Sequence, residues 1–479
     1  NGVLGMAQLL SRGELDPAQR RSVDTIIKSG EFLLTILNDI LDLSKIDAGR
    51  MELNSEPCEL RGLLTEMTHL WSARAEEKHL SLTLEIDPAT NRRGGRMGEI
   101  TALMQVLTGA EATLVVNNCA AAVLLVLAYH ASYLTAGWGP RILPGGFVGV
   151  DLFFVLSGFL ITRMLVTELR RTDRIDLGGF GVRRIRRLVP ALVAAVLALE
   201  VLRWLHPSIA ARSLSGQVIT ASTGLWSAVG SVLYVSNYQQ ASGHAFVPEL
   251  SHTWSLAIEA QYYLVWPFVL LAMWRLRLPR WSQVGVMATV MVVVWVHRAQ
   301  MWTDQAHYLP LYVRTDTRVD VIIAGSILGL LAAWGELKVG HGRWLRAPAL
   351  LGVAVLVIVS TQSETGDVHL YRDYGLVAVT LGATAIVASV LTDPGWSFNK
   401  VWSFGPLRWL GLRSYSLYLW HVPVFLMVAS NLGGRPVWLK TAVGLGAAFG
   451  LAELSYQFVE KPFRHRRRLP AAEPVPAQP

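Results

Sequence analysis

From about residue 111 onward the chain is a succession of long apolar runs separated by short loops, and this pattern restricts the fold more than any other feature. A bilayer core of about 30 Å requires about 20 apolar residues per helix. Ten runs approach that length, and the shorter ones need flanking residues to complete a crossing. The predicted spans are 113–134, 147–166, 188–205, 254–273, 283–297, 318–335, 348–361, 374–391, 414–431 and 439–458.

The composition supports an integral membrane protein. Of the 479 residues, 52% are hydrophobic and only 16% are charged, a balance that soluble proteins rarely have. In so apolar a chain, the net charge of +8 indicates basic loops beside anionic lipid headgroups, and we expect no nucleic-acid partner. Cys58 and Cys119 are the only cysteines and lie too far apart in sequence to predict a disulfide framework or a cysteine-based metal site.

Lys and Arg are distributed unevenly among the loops. With ten spans, one set of alternate loops and adjoining helix ends carries seventeen Lys and Arg residues, and the other set carries six. Basic loops remain in the cytoplasm, so this asymmetry predicts a multi-pass protein with both termini cytoplasmic. The half-apolar stretch 218–235 would break the alternation if it crossed, so we expect it to be re-entrant or to lie at the outer surface.

Residues 1–110 are rich in charged side chains and differ in character from the rest. Apolar residues at alternating spacings of three and four predict a helix with a seam that pairs with another helix, as in a helical hairpin or a homodimer. The seam consists of Val23, Ile27, Gly30, Leu34, Leu37 and Leu41. Residues 80–86 then alternate like a strand. Because the chain starts at Asn1 and not at Met, we expect its true beginning to lie upstream.

Residues 1–6 and 36–46 of this region resemble the dimerisation domain of histidine kinases. In that family the phosphoacceptor His lies in a His-Glu-x-x-Thr-Pro-Leu stretch immediately before the Asn-Gly with which this chain begins. The following residues resemble the start of the ATP-binding domain, but its nucleotide-binding Asn and Asp-x-Gly-x-Gly motif are missing. We therefore interpret 1–55 as kinase-like dimerisation helices without the phosphoacceptor, and 56–110 as a truncated, short α/β remnant, both cytoplasmic. The alternative is an amphipathic hairpin that only dimerises.

Ionisable residues inside a span are costly in lipid and indicate a functional site that faces the bundle interior. His130 lies near the outer end of the first span, and Glu259 lies in the fourth span, one turn from Ser255. A neutral imidazole can take a proton from a sugar hydroxyl near neutral pH, and a nearby carboxylate would orient it. We therefore predict that His130 and Glu259 meet and form the catalytic pair. The alternative for His130 is an interfacial residue that anchors the helix end.

Other polar and aromatic residues along the spans are predicted to bind substrate. They are Asp151, Ser157, His252, Trp254, Ser255, Tyr263, Arg318, Asp320 and His421. Structural alternatives remain open for three of them. Asp151 and Arg318 are explained equally well as a buried ion pair, and His421 as a packing residue.

A cluster of arginines lies at the inner mouth of the third span. Arg183, Arg184 and Arg187 are predicted to bind the phosphates of an acyl-CoA, because guanidinium groups match phosphate geometry. The alternative is that these residues only orient the protein, since loops on the cytoplasmic side are basic for topological reasons alone.

Several motifs occur in an order that resembles the acyltransferase-3 family of bacterial membrane O-acyltransferases, over about 113–465. They are Pro-Gly-Gly-Phe-x-Gly-Val-Asp at 144–151, Arg-Arg-x-x-Arg-x-x-Pro at 183–190, His-Thr-Trp-Ser-Leu at 252–256, Thr-Arg-x-Asp at 317–320, Ser-Tyr-Ser-x-Tyr-Leu-x-His at 414–421 and Glu-x-Pro-Phe at 460–463. The resemblance implies an inner-membrane enzyme without a bound cofactor. It also implies transfer of an acyl group, often acetyl from acetyl-CoA, to a lipopolysaccharide, peptidoglycan, exopolysaccharide or glycoside outside the cytoplasm.

The chain departs from the family at one position. The family's first helix carries an Arg eleven positions before its His, and Cys119 stands there. We expect an all-α bundle of about ten transmembrane helices over 111–465 and a basic, Pro-rich disordered tail over 466–479. Two other functions remain open, a non-catalytic polysaccharide exporter and an inactive fusion with a histidine-kinase remnant.

Overall fold

The computed structural model describes residues 110–135, 143–205, 220–337, 342–393, 396–397 and 405–465, and the isolated positions 19 and 23. The predictions for the kinase-like region and for the C-terminal tail lie outside these residues. The chain divides into two compact units, Asn1–Gly95 and Arg96–Pro479. Every regular element described in the second unit is helical, which confirms the all-α fold class.

The α-helices of the second unit are numbered in chain order. They are α1 Ala110–His130, α2 Gly149–Thr172, α3 Leu177–Leu205, α4 Ala221–Val232, α5 Ser236–Ala241, α6 Trp254–Arg275, α7 Arg280–Gln300, α8 Leu309–Val313, α9 Thr315–Trp334, α10 Arg346–Gln362, α11 Val368–Tyr371, α12 Gly375–Thr392, α13 Gly405–Leu412, α14 Ser414–Asn431, α15 Val437–Ser455 and α16 Lys461–His465. Short 3₁₀ turns lie at Ala131–Thr135, Gly146–Val148, Pro248–Thr253, Gln305–His307 and Gly342–Leu345, and a π-helical turn lies at Tyr456–Glu460.

Within the described residues, 8 helical segments are long and apolar enough to cross a membrane, which supports a multi-pass protein. They are Gly146–Thr172, Leu177–Leu205, Pro248–Arg275, Arg280–Gln300, Leu309–Trp334, Gly342–Gln362, Gly375–Thr392 and Val437–Phe463. The other two predicted spans are also helices, α1 and α14. The 12 residues of α4 extend only about 18 Å, so this helix is too short to cross, in agreement with the expectation for 218–235.

Helix α2 is central and packs against α1, α6, α9 and α12. Its contact with α9 depends on glycine, because the two backbones touch. A Cβ added to Gly158 would lie 2.0 Å from the Ile322 carbonyl oxygen, and one added to Gly325 would lie 1.9 Å from that of Val155. Small residues permit this close approach between membrane helices, where dispersion contacts replace the hydrophobic effect as the source of attraction. The polar residues of α2 are thereby held against α6 and α9.

A second group of contacts brings the end of α1 to the middle of α14. Helix α14 packs against α15 and α1, and it also contacts the 3₁₀ turn Pro248–Thr253 that precedes α6. Val123 and Leu127 of α1 belong to the same buried cluster as Leu417 and Phe425 of α14. Three segments that are distant in sequence therefore meet at one level of the bundle.

Candidate active site

Three histidines meet where these segments converge, and we refer to His130, His252 and His421 as the histidine cluster. The ring centroids of His130 and His421 lie 4.8 Å apart, and those of His252 and His421 lie 5.5 Å apart. His421 and His252 are buried, whereas His130 is only half-buried. His130 is therefore the member of the cluster that a substrate outside the bundle can reach.

Hydrogen bonds indicate which ring nitrogens carry protons. Nδ1 of His421 lies 2.8 Å from the Tyr418 carbonyl oxygen, which can only accept, so this nitrogen carries the proton and Nε2 is an acceptor. Nδ1 of His130 lies 3.2 Å from that Nε2 and 2.9 Å from the Val126 carbonyl oxygen. Two acceptors facing Nδ1 of His130 place its proton there. The Nε2 of His130 is then the basic nitrogen.

Tyr418 supports the cluster from the same turn of α14 as His421. Its hydroxyl donates to the His252 carbonyl oxygen at 2.9 Å and lies 2.5 Å from Oγ of Ser255. These contacts tie α14 to the start of α6 and hold His252 beside His421. Tyr418 was not among the site residues predicted from the sequence, although it stands three positions before His421, where a helix places it on the same face.

A cavity of about 110 Å³ extends from this region into the bundle. Helices α1, α2, α3, α6 and α14 form its walls. Its polar lining consists of Cys119, Ser157, Arg184, Arg187, Ser255, Glu259, Tyr263, Ser414, Tyr415 and Tyr418. Ser255 and Tyr418 belong to both the cavity and the contacts of the histidine cluster, so the two sites adjoin. We refer to this space as the central cavity.

Glu259 does not lie beside His130 among the contacts described, and the predicted pairing of these two residues is wrong. Glu259 stands seven residues beyond His252, a rise of about 10 Å along the helix. There it lies near Ser157 and interacts electrostatically with Arg184 and Arg187. The residue that orients His130 is His421, from a helix 291 positions later in the chain. Sequence reasoning selected both histidines but not their contact.

Cys119 lines the central cavity at the level of Glu259 and not at that of the histidines. Eleven residues of helix separate it from His130, a distance of about 16 Å along α1. Its thiol contacts Ser414 and lies close enough to Arg187 and Glu259 to interact with their charges. Position 119, at which the acyltransferase-3 family carries an Arg, therefore faces the end of the cavity that contains Arg184 and Arg187. There Arg187 supplies a positive charge.

Asp151 and Arg318 form an ion pair of 2.9 Å with both side chains fully buried, which agrees with the structural alternative and not with substrate contact. Asp320 is also fully buried and pairs with Arg298 at 3.3 Å. Trp295 donates to the same carboxylate at 2.8 Å. These contacts connect α2, α7 and α9. The sequence did not predict the buried ion pair of Arg298, because in the sequence Arg298 looks like an ordinary cation of a loop.

The remaining predicted site residues divide between the cavity and the core. Ser157 and Tyr263 line the central cavity, and their hydroxyls lie 2.5 Å apart. Trp254 is buried between Phe154 and Tyr312, so it packs and does not face the cavity. Arg183 is half-exposed and lies near Asp176 at 3.9 Å, outside the cavity lining. Of the three predicted acyl-CoA arginines, only Arg184 and Arg187 reach the cavity.

The histidine cluster is not arranged around a common point. The rings of His130 and His252 each contact the ring of His421 edge to face. Across the described ranges, no group of three His, Cys, Asp or Glu side chains is positioned to hold a metal ion. The hydrogen bond between His130 and His421 can hold a proton between two imidazoles, because each neutral ring has one donor and one acceptor nitrogen.

Comparison with family models matches an acyltransferase domain, that of the acyltransferase-3 family, over residues 120–456. This range contains all three histidines and the arginines of the central cavity. A model of the histidine-kinase phosphoacceptor domain matches residues 1–49, which confirms the resemblance of that segment. A model described as L-seryl-tRNA selenium transferase matches residues 61–134. No solved structure matches the chain.

Curated relatives share the same region. The chain is 32% identical to peptidoglycan O-acetyltransferase OatA of Listeria monocytogenes, over 72% of this chain and 54% of that protein. It is 31% identical to the putative peptidoglycan O-acetyltransferase YrhL of Bacillus subtilis, over 72% and 53%, and 32% identical to O-acetyltransferase OatA of Staphylococcus aureus, over 72% and 56%. The chain thus spans just over half the length of these relatives. With its motifs, its helical bundle and this match over most of its length, the chain belongs to the acyltransferase-3 family.

Proposed function

We propose that this protein transfers an acyl group, most simply acetyl, from acyl-CoA to a hydroxyl of a cell-envelope glycan. His130 is the general base, and the glycan approaches from the end of the bundle at which His130 is accessible. One curated relative is named a peptidoglycan O-acetyltransferase and another a putative one, so peptidoglycan is the first acceptor to test.

One observation carries this proposal: Tyr418, which supports the hydrogen-bonded pair of His130 and His421, lines the same cavity as Arg184 and Arg187. The histidines and the arginines meet the needs of the two substrates. Guanidinium groups bind the phosphates of the donor, and an imidazole with a free basic nitrogen accepts the proton of the acceptor hydroxyl. A transporter of polysaccharide would need neither group in this arrangement.

The tautomer of His130 determines which of its nitrogens accepts the proton of the acceptor hydroxyl. The acceptor oxygen attacks the thioester carbonyl carbon while its proton passes to Nε2 of His130. His421 accepts a hydrogen bond from Nδ1 of His130 and so stabilises the charged imidazolium that forms. The carbon–sulfur bond then breaks, the ester stays on the glycan, and the sulfur of coenzyme A takes the proton from Nε2 of His130, which restores the neutral imidazole.

The direction of transfer follows from the charge asymmetry. The ends of α2, α6 and α9 and the starts of α3 and α7 carry most of the loop arginines, so we place this face in the cytoplasm of a bacterium. Acyl-CoA is a cytoplasmic metabolite, and Arg184 and Arg187 lie on that side. His130 lies toward the opposite side, near the outer surface.

The proposal is tested by expressing the chain in a bacterium that lacks envelope O-acetylation and measuring base-labile acetate on purified glycans by mass spectrometry. Glycan acetylation that depends on the chain, with label from acetyl-CoA added to inverted membrane vesicles, is the expected result. If glycans cross the membrane without gaining esters, the exporter alternative is correct.

Removing either cavity arginine should weaken use of the donor. Arg184→Ala and Arg187→Ala are each expected to raise the KM for acyl-CoA about tenfold or more, because each removes a charge-assisted hydrogen bond. Initial rates in vesicles as a function of acetyl-CoA concentration measure this. Arg183→Ala is the matched control, since it removes the same charge outside the cavity. Equal effects of all three substitutions would assign these residues to topology alone.

Placing an arginine at position 119 should increase activity. Cys119 faces the arginine end of the central cavity, so Cys119→Arg would add a cation beside Glu259 and the donor. We expect kcat/KM for acyl-CoA to rise about tenfold, the effect of one charge-assisted contact. Cys119→Ser, which removes the thiol without adding charge, is expected to leave the rate unchanged. An unchanged rate for a folded Cys119→Arg variant would show that the replacement is harmless.

A further inference from the structure

A second concave site lies on the basic face of the bundle, where α2, α6 and α9 end and α7 begins. It has a volume of about 480 Å³ and shares no lining residue with the central cavity. Four arginines and two tryptophans dominate its wall, and we refer to it as the arginine pocket. They are Arg170, Arg275, Arg277, Arg280, Trp274 and Trp334.

The arginine pocket has an excess of positive charge. Its lining contains one acidic residue, Asp173, whose carboxylate accepts a hydrogen bond of 2.6 Å from Nε1 of Trp274. Arg170 donates to the Ala333 carbonyl oxygen at the end of α9. Throughout the part of the chain that the structure describes, neither Arg275 nor Arg277 forms an ion pair. The guanidinium groups of the pocket therefore exceed its single carboxylate, and an anion from outside the protein could bind to them.

Arg277 has a backbone conformation that glycine adopts at lower energy than any other residue. Its φ is +52°, in the left-handed region. The Arg277 amide donates to the Trp274 carbonyl oxygen at 3.0 Å, and the Leu278 amide donates to that of Met273 at 3.1 Å. These two bonds form the C-terminal closure of α6 in which glycine is preferred, because it alone adopts this φ without steric cost. A strained arginine inside a basic pocket points to a function of its guanidinium.

The surroundings place the pocket at the level of lipid headgroups. Arg280 stacks over Trp334, with its guanidinium carbon 6.0 Å from the ring centroid. Beside the pocket, Leu276 is 71% exposed and Trp281 is 67% exposed. Exposed tryptophans next to arginines are typical of the boundary between the hydrocarbon and headgroup regions. The exposed Leu276 and Trp281 would pack against the apolar chains of an anionic ligand bound at this level.

We propose that the arginine pocket binds the phosphate of an anionic phospholipid headgroup. Guanidinium forks match phosphate oxygens in pairs, and basic pockets between membrane helices suit such headgroups. The phosphates of coenzyme A have the same chemistry, but the donor arginines lie in the separate central cavity. The exposed apolar side chains at the mouth of the arginine pocket favour the lipid. This assignment does not depend on the proposed acyl transfer.

The test measures lipid binding to the purified full chain in detergent by native mass spectrometry, with phosphatidylglycerol compared with phosphatidylcholine. Phosphatidylglycerol should bind more tightly, and each lost arginine should weaken its binding about fivefold. Arg277→Gly is the sharpest variant, because glycine relieves the left-handed backbone and should not reduce folding. The combination of Arg275→Ala, Arg277→Gly and Arg280→Ala should remove the preference for the anionic lipid.

Arg343→Ala is the matched control, since it removes an exposed charge from the same face outside the pocket. It should leave the affinity for phosphatidylglycerol unchanged. Coenzyme A is added in a separate arm. Displacement of the lipid by coenzyme A, with loss of coenzyme A binding in the triple variant, would assign the phosphate to the donor and overturn the proposal. Equal lipid binding by the triple variant and the unmodified chain would also overturn it.

Discussion

Replacing His130 with alanine is expected to lower the rate of acyl transfer to the glycan about 10²–10⁴-fold, the usual contribution of a general base. The substitution removes the basic nitrogen but leaves the central cavity and its arginines intact. The KM for acyl-CoA should therefore change little while kcat falls. Ester-linked acetate on the glycans and initial rates in vesicles measure the two parameters.

His307→Ala serves as the matched control for His130→Ala. His307 is an exposed histidine paired with Asp304 at 2.9 Å, and its described hydrogen bonds are to Asp304 and not to the cluster. Its loss should leave the rate unchanged. Full activity of folded His130→Ala protein would remove His130 from the mechanism and leave the cluster without a catalytic role.

The part of His421 is separable by a double-mutant cycle. If His421 acts only through its hydrogen bond to His130, then His421→Ala should lower kcat in the unmodified chain and have no further effect in His130→Ala. Independent losses that multiply would show that His421 acts on the substrate directly. The pH profile of kcat should also move in His421→Ala, which loss of packing alone would not cause.

Substituting Asp151 with asparagine should destabilise the fold by about 3–5 kcal/mol, because it leaves the buried charge of Arg318 without its partner. Both side chains have no exposed surface, so solvent cannot compensate. The apparent unfolding temperature of the detergent-solubilised protein measures the effect, at a fixed heating rate. Asp316→Asn provides the comparison, since Asp316 is 37% exposed and its partner Arg314 is 35% exposed, and the loss should be below about 1 kcal/mol.

A charge-free double variant then distinguishes structure from substrate binding. Asp151→Leu combined with Arg318→Met should recover most of the lost stability, because an apolar pair can replace a buried ion pair. If the pair is structural, acyl transfer recovers with the fold. A stable double variant that transfers no acyl group would instead restore the prediction that Asp151 and Arg318 bind substrate.

Much of the architecture follows from local properties of the sequence. Apolar run length depends only on neighbouring residues, so eight of the predicted spans meet the criterion for a membrane helix and the other two are helices as well. His130 and His421 were predicted to face a shared polar region because each is an ionisable residue in a span, which is costly in lipid. In the structure they contact each other. The ordered motifs identified the family.

The pairing of side chains depended on tertiary structure. Glu259 and His130 were predicted to meet because both are ionisable and lie in spans, but their depth in the bundle differs by about two turns of helix. The ion pair of Asp320 with Arg298 was invisible in the sequence, since a loop cation and a buried one have the same letter.

The sequence by itself determined that this chain is a helical membrane protein of a known family, because hydropathy and motif order depend only on the order of residues along the chain. Only the tertiary structure decided which residues act together. The contact of His130 with His421 spans 291 positions, and it exists because α14 packs against α1 at the level where the turn before α6 also arrives. Helix packing sets such a level through the shapes of many buried side chains, and no short stretch of sequence contains that information.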